Sequence, residues 1–347
     1  MNSNQDYTQH EQTDEISLQE LFMALWKQKI LIIAITLIAG LVTGIISVFA
    51  ITPVYHAKLN IIMNMPETHN TKYGDYTLPI SSNEQYINLI TTNSILSNTI
   101  SDMGYNQQDV SIESMRDKIS ITQTDSKNAV QNSFYINVAS DNPEEARRLA
   151  ESLYKNYLVF IDVMIAEGAT EYFHNYYSVQ LKSLEVELRS NEELLAKNTE
   201  LLNSTPMTID QREAMKEILS SDNIADYIVM GNIINPNYTD LELDIIGIKQ
   251  EIDSIENTLN VYNVYLTELE EKRSEIAKYY ESGEFAELND NIVRITKSNI
   301  YLPSDPVAPS NKTSPSNLRN VIIGALLGAI VSVLIALVKE YWFTKTT

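Results

Sequence analysis

The chain has 347 residues, with 46 acidic against 25 basic side chains, a net charge of −21 and no cysteine. So acidic a balance excludes a broad nucleic-acid-binding surface, and the missing thiols exclude a disulfide framework and thiolate metal sites. All but four of the bases and all but six of the acids lie between Thr52 and Asn320, where they serve solubility and repulsion between unassembled subunits.

Residues 1–14 are polar and read as disordered. "EISLQELFMALWKQK" follows, with Ile16, Leu18, Leu21, Phe22, Leu25 and Trp26 at near-helical spacing. This predicts either a short amphipathic helix on a membrane face or an uninterrupted lead into the next segment. That segment, Ile30–Ile51, is uncharged and long enough to cross a bilayer. It reads as a span rather than a cleavable signal, because it is too long for a signal core and no small-x-small site follows it.

Beyond the span, "VYHAKLNIIMNM" alternates as a strand does, and "YGDYTLP" reads as a turn-rich loop. Asn83 is placed to cap a helix over "EQYINLITTNSILSNTISDMGY". "KISITQT" and "SFYINVAS" alternate on either side of a polar turn and predict a β-hairpin. In "SDNPEEARRLAESLYKNYL", Asp141 or Asn142 is the cap, Pro143 suits the first turn, and Glu144 and Glu145 suit the positive helix end. A final alternation, "NIVRITKSNIYLP", predicts the last strand. The order β-α-β-β-α-insertion-β is that of a split βαβ, ferredoxin-like sheet with helices on one face.

The insertion reads as a helical hairpin, residues 168–283. Leu181, Leu188, Leu195 and Leu202 recur at seven, with Leu184 but also Asn191 and Asn198 at the companion position. The returning arm is cleaner: Leu241, Ile245, Ile248, Ile252, Ile255, Leu259, Tyr262, Leu266, Leu269 and Ile276 keep 3-4 spacing, broken only at Arg273. Pro206, Gly231 and Pro236 interrupt the tip between them. An arm of about 35 residues is about 50 Å long, rising to about 90 Å if the helix from Pro143 continues through Gly168. The stripes serve the seam between the two arms, packing against neighbouring subunits, or both.

"LPSDPVAPSNKTSPSN", residues 302–317, then holds four of the ten prolines, Pro303, Pro306, Pro309 and Pro315. Proline fixes φ and lacks an N–H, so this stretch is predicted to be extended and stiff without partners, holding the domain at a set height. Val321–Val338 is a second uncharged run, stopped by Lys339 and an aromatic belt of Tyr341, Trp342 and Phe343. Gly40 and Gly44 in the first run, and Gly324 and Gly328 in the second, allow close helix approach in lipid. Two spans put both tails on one side. The flanking basic residues barely decide which, with Lys27, Lys29, Lys339 and Lys345 at the tail ends of the spans against Lys58, Lys312 and Arg319 at the ends that face the central domain.

No phosphate-binding Gly loop, HExxH or GxSxG occurs, and His10, His56, His69 and His174 are scattered without ligand spacing. We therefore expect no catalytic, cofactor-binding or metal-binding residues.

Several of these stretches together carry a family resemblance. "EISLQELFMALWKQK", "TPVYHAKLNI", "SDNPEEARRLAESL", "INPNYTDLELDIIGIKQEIDSI" and "DPVAPSNKTSPSNLRNVIIGALLGAIVSVLIAL" resemble, in order, segments of the polysaccharide co-polymerases, the chain-length determinant (Wzz-type) proteins. On that resemblance Pro306, Pro309, Pro315 and Ser316 match the motif that leads into the second span, and Gly324 and Gly328 its membrane part. Asn317 departs, standing where many members carry Lys. The resemblance implies an α+β membrane protein of the bacterial inner membrane, assembled as a homo-oligomeric ring. Its partners would be a polysaccharide polymerase and the growing lipid-linked glycan, with no nucleic acid.

The resemblance also favours cytoplasmic tails at 1–29 and 339–347, spans at 30–51 and 321–338, and an extracytoplasmic domain at 52–320. That domain comprises a base (52–167 and 284–302), the hairpin (168–283) and the Pro-rich segment (303–317). The expected role is non-enzymatic control of chain length for an O-antigen, capsule or exopolysaccharide. The alternatives are an activator of a separate cytoplasmic tyrosine kinase and an export adaptor. With only residues 339–347 after the second run, no fused kinase is expected.

Overall fold

The computed structural model describes residues 18–106, 108–123, 132–210, 231–282 and 295–343. In chain order the elements are α1 (Leu18–Lys27), α2 (Lys29–Phe49), β1 (Tyr55–Met63), β2 (Thr68–Thr71), β3 (Gly74–Thr77), α3 (Asn83–Asn88), α4 (Asn93–Asp102) and α5 (Ile112–Asp117). Then come β4 (Ile119–Gln123), β5 (Ser133–Ser140), α6 (Pro143–Ser204), β6 (Thr208–Asp210), β7 (Asn232–Ile234), α7 (Pro236–Ser282), α8 (Thr296–Asn299), β8 (Ile300–Tyr301) and α9 (Asn317–Val338). Two compact units form. The first is Met1–Ile62, Ile90–Tyr154 and Leu302–Thr347; the second is Met63–Leu89 and Lys155–Tyr301.

The first unit holds α2 and α9, both long and apolar enough to cross a membrane. α1 and α2 are separate helices, parted at Gln28, whose φ of −98° and ψ of 17° leave the helical region. The unit's sheet is antiparallel, in the order β4-β5-β1. Strand alternation decides its core: Ala57, Leu59 and Ile61 on β1 and Phe134, Ile136 and Val138 on β5 are all buried. Ile95, Leu96 and Ile100 of α4, Met115 of α5, and Leu149 and Leu153 at the start of α6 are buried in the same unit. Asn142 is the cap of α6, its Oδ1 accepting from the Glu144 and Glu145 amides at 2.9 and 3.2 Å. α6 then continues for 62 residues, about 93 Å, without a break at Gly168.

Four local expectations are corrected. Ser82, not Asn83, caps α3, accepting from the Gln85 amide at 3.3 Å; Asn83 is buried and takes the Met65 N–H. The single helix expected from residue 84 is broken. Thr92 is extended (φ −69°, ψ 153°), and the Arg116 guanidinium takes up the freed Thr91 carbonyl and the Asn93 side chain. Adjacent β-branched threonines favour that break. α4 closes at Gly104, whose φ of +69° needs glycine and lets the Tyr105 amide reach the Ile100 carbonyl.

The stretch read as a loop, "YGDYTLP", supplies β3 of a hairpin with β2, turning at Lys72–Tyr73 with Gly74 at φ +126°. Its short polar strands lack the alternation that marks a strand in sequence. The last expected strand is reduced to β8, because Thr296–Asn299 coils into one helical turn. Asp162 of α6 holds that turn by accepting from the Thr296 amide and hydroxyl at 3.2 and 2.7 Å. Residues 291–294 of that alternation lie outside the described residues, as do residues 211–230 of the tip.

Candidate functional site

Small residues let α2 and α9 meet. Gly324, Gly328, Ser332 and Ala336 are buried at intervals of four along α9, and Gly40 and Ser47, seven apart, are buried on α2. A Cβ on Gly324 would fall within the Thr43 side chain, and one on Gly328 would lie 2.5 Å from Ala39 Cβ. Gly40 and Gly44 are looser, at 3.5 Å to Ala325 Cβ and 3.0 Å to Val321 Cγ2. The glycine pattern missed the rest of this stripe. Thr36, Thr43, Ser47, Ser332 and Ala336 extend it, and their four-and-three spacing was the available signal. Thr43 satisfies its hydroxyl internally, donating to the Ala39 carbonyl at 2.7 Å.

Polar ties close both ends of the pair. At one end Lys27 Nζ and Gln28 Nε2 donate to the two oxygens of Glu340, at 2.6 and 3.1 Å. At the other, Ser47 Oγ donates to Asn317 Oδ1 at 3.0 Å and receives from Asn320 Nδ2 at 2.9 Å. Lys312 Nζ also reaches Asn317 Oδ1, at 3.0 Å. An ammonium therefore stands at this point even though position 317 itself carries an amide.

The Pro-rich segment is clamped rather than self-supporting. The Val54 amide donates to the Ser314 carbonyl, and the Thr313 amide to the Val54 carbonyl, each at 2.8 Å. Pro306 and Pro315 are buried, Pro309 is half-buried, and Pro303 and Ser316 are exposed. Ser316 occupies the cap position of α9 without a side-chain capping bond. The stiffness foreseen from proline is thus joined by backbone bonds to the lead-in of β1, which no local pattern announces.

In the second unit α6 and α7 run antiparallel. Arg273 Nε meets Glu171 at 2.6 Å, Tyr280 donates to Glu167 at 2.7 Å, and β6 pairs with β7 at the far end. Leu181, Leu188, Leu195 and Leu202 are half-buried, as are Leu184, Asn191 and Asn198, while every residue between them is exposed. On α7, Ile245, Ile248 and Ile255 are buried and Ile252 and Leu259 half-buried. Leu202 and Ile245 line an open groove of about 340 Å³ with Thr239, Glu242, Leu243 and Ile246.

Sequence reading missed the aromatic cluster at the other end of the hairpin. Tyr73 rests on Phe173 and Tyr265, with ring centres 5.8 and 5.2 Å away, and Tyr177 rests on Tyr262 at 4.8 Å. Tyr76 packs over Gly168, where a Cβ would strike its hydroxyl. Tyr73 donates to Glu268 at 2.9 Å, and Lys72 pairs with the same carboxylate at 2.5 Å. Burial, then Glu268, pushes the Tyr73 phenol up; the Lys72 hydrogen bond leads in holding Glu268 below the usual carboxylate range. Among the described residues no three His, Asp or Glu side chains gather as a metal site would require.

Residues 14–103 match the chain length determinant protein (Wzz) family. The chain is 27% identical over 142 residues to the probable capsular polysaccharide biosynthesis protein YwqC of Bacillus subtilis (strain 168), covering 40% of this chain and 54% of that one. It is 28% identical over 144 residues to the capsular polysaccharide biosynthesis protein CpsC of Streptococcus pneumoniae, covering 41% and 60%. The chain therefore spans little more than half the length of these curated relatives. Among solved structures, a full-length bacterial polysaccharide co-polymerase aligns over 93% of this chain and 97% of its own, at 15% identity and a TM-score of 0.45. A fragment of WzzB from Salmonella Typhimurium aligns over 76% and 100%, at 13% identity and a TM-score of 0.26. The match to the chain length determinant (Wzz) family thus lies in the region that runs from the residues before α1 through α2 and β1 to Met103, at the end of α4.

Proposed function

We propose that this chain is a non-enzymatic, oligomeric membrane scaffold that sets the length of a bacterial surface polysaccharide made by a separate polymerase. One observation carries the reading: the family match covers α1, α2 and β1, and α9, from near the other end of the chain, packs on α2 in the same unit. In this reading both apolar helices cross the inner membrane, the short tails are cytoplasmic, and residues 52–320 stand outside. The element order β1, α3 to α4, β4, β5, α6 and β8 supports a split βαβ base interrupted by the hairpin.

Assembly into a homo-oligomeric ring is supported by a second apolar line on α6. Tyr172, Tyr176, Val179, Val186, Leu194 and Leu201 are each at least 45% exposed and fall within about 80° of arc, apart from the stripe of half-buried leucines. Such a line, left to water on a stable helix, suits a neighbouring subunit. The partners in this reading are further copies of the chain, the polymerase and the growing lipid-linked glycan.

The test is a polysaccharide length profile by gel, with and without the gene. Loss of the modal length on deletion is expected, and removal of one matched heptad from each arm should shorten the mode. A profile unchanged by gene deletion would overturn the reading.

A further inference from the structure

The sheet of the first unit has a second face. Opposite its apolar side, β1 carries His56, Lys58, Asn60 and, at its end, Ile62, and the register aligns these with residues of β5 and β4. Lys58, Asn137 and Ser120 form one row across the strands, and Asn60, Tyr135 and Thr122 form the next. Lys58, Ser120, Thr122 and Tyr135 are exposed, with the Tyr135 ring at 43%.

Three features separate this face from ordinary solvated surface. Its rows contain no carboxylate, although the chain carries 46. Lys58 is exposed and makes no ion pair among the described residues; beneath the face, the buried Nδ1 of His56 has no hydrogen-bond partner. The Asn137 amide makes only long contacts, 3.5 Å each, to Ser120 and Thr122, so its donors remain available. A subunit interface would need an apolar centre, and these two rows offer one aromatic ring, while the large aliphatic side chain of this face, Ile62, stands half-buried at its end in the following row.

β1 starts at Tyr55, six residues past the end of α2 at Phe49, within about 20 Å of chain. With α2 in the bilayer, the face stands just above the membrane surface. Rows lie about 7 Å apart and strands about 4.8 Å apart, giving room for two or three linked sugar rings. A lipid-linked glycan has matching chemistry: phosphate next to the membrane, then rings with hydroxyl edges and C–H faces.

We infer that this open sheet face binds the membrane-proximal sugars of the lipid-linked glycan. Lys58 faces the phosphate end, the Asn60 and Asn137 amides take sugar hydroxyls, and Tyr135 stacks beneath a ring. The inference rests on the proposed function and adds to it a site of contact in the base, apart from the arm.

The test places a photo-crosslinking benzophenone side chain at position 135 of the full chain in its own cells. Irradiation should yield a glycan-bearing ladder on this chain, absent in cells that make no polysaccharide. In parallel, Lys58→Thr and Tyr135→Thr, singly and together, are compared with the parent in lipid nanodiscs. The probe is the lipid-linked oligosaccharide extracted from the cells' own membranes. Because both positions are exposed and threonine suits a strand, melting temperature should be unchanged while binding falls at least tenfold. Binding within twofold of the parent overturns the inference, as does crosslinking only to lipid or to a second copy of the chain. Gene deletion keeps the two ideas apart: if it alters polysaccharide length while the variants bind normally, the site alone fails.

Discussion

Pairing of the two apolar helices makes a demanding prediction at Gly328. A Cβ there would stand 2.5 Å from Ala39 Cβ, whereas carbon atoms rest about 3.8 Å apart, so a side chain must push the helices apart by about 1.3 Å or more. That movement strains the four polar contacts of Glu340, Ser47, Asn317 and Asn320 that cross between the helices at the two ends. At about 0.6 kcal/mol for each hydrogen bond in a membrane, the loss is roughly 2–3 kcal/mol.

The chain has no cysteine, so an introduced pair reports cleanly. Gly40 and Ala325 present Cβ positions 3.5 Å apart, inside the range of about 3.5–4.5 Å that a disulfide spans. The Gly40→Cys/Ala325→Cys chain should therefore oxidise within one molecule, read as a mobility shift on a non-reducing gel after proteolysis between the spans. Adding Gly328→Leu should slow that oxidation about tenfold, while Gly44→Ala, at 3.0 Å from a movable Val321 methyl, should change it little. Equal oxidation with and without Gly328→Leu, or crosslinks only between molecules, would refute the packing.

Other consequences can be measured on the full chain in detergent. Ile248→Ala and Ile255→Ala remove buried side chains from α7 and should each cost about 2 kcal/mol in denaturant titrations followed by helical circular dichroism. Val186→Ser, on the exposed line of α6, should stay within about 0.5 kcal/mol of the parent and act only on sedimentation of the assembly. Asn142→Ala strips the cap from two amides and should cost about 1 kcal/mol in the same titration. Glu145 accepts from Tyr105 and from Ser140 Oγ, and those bonds, Tyr105 first, hold its carboxyl below the usual range against the opposing effect of burial. A depressed folded pKa stabilises above the unfolded value, about 4.3, and the gain is lost as pH falls through the folded pKa. Glu145→Gln should therefore flatten the acid limb of the stability profile below about pH 4.3, and an unchanged limb would show that the carboxylate is not responsible.

What the sequence determined by itself is whatever depends on local periodicity and on solvent. Eighteen uncharged residues cannot be left in water, so the second apolar helix was legible, as was the first. Alternation exposed β1 and β5, and the Asn-Pro-Glu-Glu start of α6 was legible because capping and dipole effects act within one turn. The 3-4 stripes of α6 and α7 showed which faces turn away from water.

Tertiary structure alone decided which distant groups would meet. Nothing local foretells that Lys72 and Tyr73 of a four-residue-stranded hairpin reach Glu268, or that Asp162 coils Thr296–Asn299 out of its alternating pattern. The same holds for Val54 clamping the residues before Pro315, and for Thr43 filling the space over Gly324. Each is a contact across scores of residues or more, formed because packing density and hydrogen-bond satisfaction are properties of the folded whole rather than of any short window.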